Sequence, residues 1–288
     1  MLKPSYTSCN GFLLPKDFSH DAFLSILNYK PEATDTFIVT YPKCGTTWTQ
    51  YIVWLLEHDG EDLPPEKSMM KEVPHIEEEG QSIVLKLPNP RFLKSHLPFS
   101  LIPYSSNAKY IYVARNPFDC VVSFFYHTKG FVKNYNFDEG NFDTFFDCFL
   151  AGEVDFGDYF DNLSSWYEHK NDKNVLFLTY EGLKANCHDE IIRIAKFLGE
   201  KYYHKVQQED FLKKVLEKSS FANMSRYQNR WCTQRKADAP PFIRKGIVGD
   251  WEIHLSDHQI KRLSTKFIDR TKGTDIADLW KNTIPVKL

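Results

Sequence analysis

Tyr41-Pro42-Lys43-Cys44-Gly45-Thr46-Thr47-Trp48 stands between a run of β-branched and aromatic residues, Thr36 to Thr40, and a stretch with Tyr51, Ile52, Leu55 and Leu56 at helical spacing. The run before the loop predicts a buried strand, and the periodicity after it predicts a helix over Thr47 to His58. A strand, a tight loop and a helix in that order turn backbone N–H groups and the positive end of a helix dipole toward one point. Lys43 adds a charge there, and Thr46 and Thr47 add hydroxyl donors. The loop is therefore suited to a phosphate or a phosphosulfate. It departs from GxxxxGK[ST], having one glycine and carrying its lysine before that glycine instead of after it. A tight βα turn with a surface lysine is the other reading this stretch alone allows.

Outward from the loop, Tyr110 to Ala114 and Val175 to Thr179 repeat the strand pattern, while Pro117 to His127 and Asp189 to Leu198 repeat the helical one. Strands alternating with helices imply an α/β fold, with a central parallel sheet flanked by helices. No repeat, low-complexity tract or Gly/Ser-rich linker divides the chain, so a single domain over residues 1–288 is expected. Ligands of such sheets bind beyond the carboxyl ends of the strands, which directs attention to the loops that follow the three runs.

Three further segments carry chemistry. The second strand runs to Arg115, followed by Asn116 as a candidate N-cap and Pro117 at the first helical position. Ser123 lies about two helical turns beyond Arg115, so its hydroxyl and the guanidinium could converge on one phosphate; a surface arginine and a helical serine would look the same. Nearer the C-terminus, Arg244-Lys245-Gly246-Ile247-Val248-Gly249-Asp250-Trp251 places two cations beside two glycines, the composition of a loop that wraps an anion or of a solvated basic loop. Between these lies Leu93-Lys94-Ser95-His96-Leu97-Pro98. In an extended segment Lys94 and His96 point to the same face, and an imidazole suits a general base near neutral pH. Ten histidines are present, so position alone does not separate His96 from a structural histidine.

Composition removes several classes. The formal net charge is −2, which gives no global field for nucleic acid or an anionic membrane, and 42% of the residues are apolar, enough for a sizeable core. Six cysteines form no CxxC pair, and Cys120, Cys148 and Cys187 fall in stretches that read as buried helix, as expected of reduced thiols. No apolar run approaches the ~20 residues that cross a bilayer. A cytoplasmic protein with no nucleic-acid or membrane partner is expected.

Taken together, the segments closely resemble the cytosolic sulfotransferase family. YPKCGTTW resembles its 5′-phosphosulfate loop, with Cys44 where the family has serine; RKGIVGDW fits its 3′-phosphate signature. LKSHLP resembles the segment that holds its catalytic histidine, and YVARNPFDCVVSFFYH the stretch with its 3′-phosphate arginine and serine. All four occur in the family's order. The resemblance implies that the donor is 3′-phosphoadenosine 5′-phosphosulfate (PAPS), the product 3′-phosphoadenosine 5′-phosphate (PAP), and that no metal is needed. It implies that Lys43, Cys44, Gly45, Thr46 and Thr47 hold the 5′-phosphosulfate, and that Arg115, Ser123, Arg244, Lys245 and Gly246 hold the 3′-phosphate. Trp48, Tyr180 and Phe221 would pack around adenine, with Ser219 and Met224 nearby. His96 would be the general base, with Lys43 and Lys94 as the other catalytic residues.

Two other readings share the strand–loop–helix: a P-loop kinase of small molecules, which needs GK[ST] and a strand-end Asp for Mg²⁺, and a catalytically silent nucleotide-binding module. The acceptor is expected to be a small aromatic alcohol, bound by Lys94, His96 and His75. Where relatives place aromatics, this chain reads Val73-Pro74-His75-Ile76-Glu77-Glu78-Glu79, which suggests an amine-bearing phenol paired with one of these carboxylates. The stretch from Phe221 to Arg244, where the lid should lie, is a few residues shorter than the family pattern. Many relatives dimerise through a segment after the GDW; here its positions hold Glu252, Ser256, Asp257 and Lys261, without the apolar centre. A monomer, or a dimer through another surface, is expected.

Overall fold

The computed structural model describes residues 2–232 and 239–286. Part of the expected lid, residues 233–238, lies outside the described residues. Strands β1 (Tyr6–Cys9) and β2 (Phe12–Pro15) pair as an antiparallel hairpin. Its turn is Asn10-Gly11, with φ of 52° and 82°, the backbone that an Asn-Gly pair adopts most readily between twisted strands. Four parallel strands form the main sheet: β3 (Asp35–Thr40), β4 (Arg91–Ser95), β5 (Lys109–Ala114) and β6 (Val175–Thr179), in the order β4-β3-β5-β6.

Every residue of β3 is buried, as a central parallel strand covered on both faces requires. Alternate side chains go to opposite layers. Phe37, Val39, Tyr110 and Tyr112 join a core under the helices Pro117–Gly130, Phe142–Ala151, Tyr159–Tyr167 and Asp257–Thr271. Ile38, Ile111, Val113 and Leu178 join a second core under Thr46–Glu57, Cys187–Leu198 and Glu209–Lys218. Each fully buried Val, Ile or Phe contributes roughly 1.5–3 kcal/mol relative to exposure, which pins strand register to the two-residue period.

β3 pairs with β4 on one side and β5 on the other. From β3 the chain passes to β4 on one side and then crosses back to β5 on the other, and the crevice of such a switch point opens at the carboxyl ends of the strands. The loop after β3, His96 after β4, Arg115 after β5 and Tyr180 after β6 all line one cavity there. Among the described residues, no helix is long and apolar enough to cross a membrane.

Candidate active site

Helix Thr46–Glu57 starts at Gly45, φ 103°, and no side chain caps its first turn. Its leading N–H groups are therefore available to a ligand in the cavity. A Cβ on Gly45 would stand 3.0 Å from Tyr180 Cδ2, so both the positive φ and the adjacent ring require glycine. Lys43 is left-handed as well, at φ 69°, and its Nζ lies 4.2 Å from the centroid of the Phe242 ring. Lys43, Gly45, Thr46, Thr47 and Trp48 all line the cavity. Cys44 does not: it is wholly buried, its Sγ 3.8 Å from Cys120 Sγ, and its backbone N–H goes to Tyr41 O at 3.3 Å. The expected contact of Cys44 with a bound anion is thus corrected, because the side chain fills core space behind the loop.

At the far end of this cradle, Arg115 donates to Lys43 O and Ile247 O, each at 3.2 Å, and lays its guanidinium 4.4 Å from the Tyr180 ring centroid. Its Nε is buried without a hydrogen-bond partner among the described residues, as is Arg244 Nε. Arg244 and Lys245 both bind Asp250, the latter at 2.6 Å. Burial pushes the Asp250 carboxyl up, but hydrogen bonds from Lys245 and Arg244 outweigh it and hold it below the ordinary carboxylate range. A Cβ on Gly246 would fall 2.3 Å from Phe221 Cδ2, so the loop runs directly over that ring. Ser123, Ser219 and Met224 line the same region.

Two acids that sequence reasoning missed hold this region, Asp119 the loop itself and Glu181 the start of helix Pro117–Gly130. Asp119 accepts the Gly249 N–H at 2.9 Å and the Trp251 N–H at 3.1 Å, while Glu181 accepts the Asn116 N–H at 2.9 Å, the Asn116 Nδ2 at 2.7 Å and the Trp280 Nε1 at 2.7 Å. Asn116 caps helix Pro117–Gly130, as expected. Nothing in local sequence singles out these acids, whose partners lie 65 to 132 residues away.

The other end of the cavity holds Lys94, His96, His75 and Asp155. His96 Nδ1 lies 2.8 Å from the Thr40 carbonyl oxygen. A carbonyl only accepts, so Nδ1 carries the proton and Nε2 keeps its lone pair. Burial first, then the neighbouring Lys94 and His75, push the imidazole well below its ordinary pKa, so it is neutral at pH 7. Glu77, one of the three carboxylates considered for a bound amine, fixes the strand end instead: its Oε1 accepts the Ser95 hydroxyl at 2.7 Å and the His96 N–H at 2.6 Å, and its Oε2 lies 3.2 Å from His75 Nε2. Of the three carboxylates of this stretch, Glu77 does not line the cavity, whereas Glu78 and Glu79 do. Burial pushes Lys94 down, opposed by Glu78 and Glu77.

Phe156, at φ 64°, sits edge-on to His96 with ring centroids 5.0 Å apart, and its N–H goes to Leu13 O at 2.8 Å. An aromatic residue in that region costs about 1–3 kcal/mol and persists only where its surroundings dictate it. Farther off, Glu252, Ser256 and Asp257 stand exposed, with Ser256 capping helix Asp257–Thr271.

An uncapped helix start after the first sheet strand, converging arginines and an adjacent buried imidazole define an α/β protein that takes a phosphate-bearing ligand beside a proton acceptor. The chain belongs to the sulfotransferase family: residues 33–275 match the sulfotransferase domain. The amine sulfotransferase of Oryctolagus cuniculus is 35% identical over 259 residues, 85% of this chain and 83% of that protein. Homo sapiens sulfotransferase 1C2 is 32% identical over 271 residues, 89% of each chain. Among solved structures, mouse sulfotransferase SULT7A1 complexed with PAP aligns with a TM-score of 0.75 at 26% identity, covering 96% of this chain and 97% of its own. Retinol dehydratase in complex with retinol and PAP aligns at 0.80 and 26% identity, covering 95% and 92%. The kinase and silent-module readings give way to a sulfotransferase.

Proposed function

We propose that this sulfotransferase moves a sulfuryl group from PAPS to the hydroxyl of a small aromatic alcohol, with His96 as general base. The observation that carries this reading is the hydrogen bond from His96 to Thr40 O, which leaves Nε2 unprotonated in the cavity that Lys43 and Thr46 also line. PAPS, when bound, supplies an activated sulfuryl group and a 3′-phosphate. The residues present fit it: an uncapped helix start, two buried guanidinium Nε atoms without partners among the described residues, and glycines where a Cβ would strike Tyr180 or Phe221.

Lys43 and the first turn of Thr46–Glu57 would take the 5′ end, while Arg115, Ser123, Arg244 and Lys245 would take the 3′-phosphate. Planar guanidinium forks suit that phosphate. His96 Nε2 accepts the proton of the acceptor hydroxyl as its oxygen attacks in line, and Lys43 and Lys94 stabilise charge on the non-attacking oxygens. Positioning and fixed charge carry most of the rate in such transfers, and a general base typically adds about 10²- to 10⁴-fold. The test is a screen of simple phenols, catecholamines and hydroxysteroids with labelled PAPS in the presence of EDTA. Labelled aryl sulfates are expected. No sulfated product, a need for divalent metal, or a strict hydroxysteroid preference would overturn the corresponding part of the reading.

A further inference from the structure

We infer that the acceptor end of the cavity is built to receive a cationic ammonium group on Asp155 Oδ1, so that the preferred acceptors are phenols or alcohols that also carry a protonated amine. This deepens the sulfotransferase reading and rests on it only for the chemistry that follows binding.

Asp155 is almost wholly buried yet lines the cavity. Its Oδ2 accepts the Tyr135 hydroxyl at 2.8 Å, while its Oδ1 has no hydrogen-bond partner among the described residues. A buried carboxylate oxygen without a donor is costly, and it is retained where a ligand supplies the donor. Of the acids on Ile76–Glu79, Glu79 lines the cavity but is exposed to solvent, and the other two approach His75. Glu77 Oε1 accepts from Ser95 and from the His96 N–H, its Oε2 lies 3.2 Å from His75 Nε2 without a hydrogen bond, and Glu78 lies 3.8 Å from His75. No ion pair to Asp155 forms among the described residues, although His75 and Lys94 line the same cavity and act on it electrostatically. The strained backbone of Phe156 places Asp155 beside the ring that packs on His96.

An ammonium held there has no lone pair to attack sulfur, so transfer goes to the hydroxyl: the O–H proton passes to His96 Nε2, the oxygen bonds sulfur, and the bond from sulfur to the PAPS bridging oxygen breaks, releasing PAP. The groups around Asp155 are Tyr6 on β1, Tyr41 after β3, Tyr135, His75 and Lys94. Burial raises Asp155 to about 7. Roughly a tenth of it is therefore ionised at pH 6 and about nine tenths at pH 8.

The test compares tyramine, 4-ethylphenol and 3-(4-hydroxyphenyl)propionate, which share a phenol and differ in charge, by calorimetric binding to the protein with and without PAP. At pH 8 tyramine should bind at least about tenfold tighter than 4-ethylphenol, with the propionate weakest, as charge-assisted hydrogen bonds require. Asp155→Asn should remove most of that ratio, since Asn keeps the Tyr135 bond but not the charge. In the unmodified protein, lowering the pH from 8 to 6 should narrow the ratio several-fold, a measurement that does not depend on the variant folding. Equal binding of tyramine and 4-ethylphenol, a preference for the propionate, a ratio that survives Asp155→Asn, or one indifferent to pH would each overturn the inference. A preserved ratio without sulfation of any probe would instead leave the ammonium site standing and remove the transfer reading.

Discussion

At the nucleotide end of the cavity, Arg115, Arg244 and Lys245 are held before any ligand arrives, on backbone carbonyls and on Asp250, which Arg244 and Lys245 share. At the acceptor end, His96, Lys94, His75 and Asp155 crowd into a buried space where burial pushes Lys94 and His96 down and Asp155 up. The cations of the first end are positioned by local partners, while the Nε atoms of Arg115 and Arg244 have none among the described residues. Chemistry at the second depends on which group holds a proton. A fixed phosphate can be met by fixed donors, whereas a proton acceptor must remain uncharged until the substrate comes.

The sharpest way to break that contrast is His96→Ala. Sulfation should fall about 10²- to 10⁴-fold, the usual contribution of a general base; a turnover assay at saturating acceptor checks it, and a loss below tenfold would remove His96 from the base role. Next in size is Arg244→Ala. Its affinity for PAP should drop about 10- to 100-fold, with little change for adenosine 5′-phosphosulfate, which lacks the 3′-phosphate. Equal losses for the two nucleotides, read by calorimetry, would mean that the loop grips some other part of the ligand.

A smaller effect sharpens the acceptor side. Asp155 is raised to about 7 in the folded protein, whereas in the unfolded chain it ionises near 4. Between those values the folded state holds the extra proton, so stability falls as pH rises through that window, and the cost is fully present above 7. Asp155→Asn removes the cost. Its melting temperature should exceed that of the unmodified protein by several degrees at pH 8 and by little at pH 4.5; an equal shift at both would show that the charge is not what matters.

How much of this was legible in the sequence follows the same divide. Tyr41 to Trp48, Arg115 with Ser123, and Arg244 to Gly246 are contiguous or nearly so, and their glycines and cations reflect a local demand that a linear reading can detect. Three of the four main strands and the helices after them were visible for a similar reason, since full burial of a parallel strand leaves an apolar run, whereas β4 was considered only as an extended segment. Asp119, Glu181 and Asp155 were not visible, and Glu77 was seen only as one of three adjacent carboxylates. Each acts through partners brought from other elements, and an isolated acid in a helix or loop looks like any solvated surface charge. His75 was noticed only as a departure from the family pattern; its pairing with Glu77 follows from the turn that brings Ile76–Glu79 against β4. Cys44 was misread because its neighbours on both sides reach the cavity while its own side chain points into the core.

The division of the cavity into a nucleotide end and a proton-accepting end is tested most directly by PAP calorimetry on His96→Ala and Arg244→Ala side by side. PAP affinity should stay within about threefold of the unmodified protein in His96→Ala and fall at least about tenfold in Arg244→Ala. Comparable weakening in both variants would contradict the account, because the imidazole would then be holding the nucleotide and not only the acceptor proton.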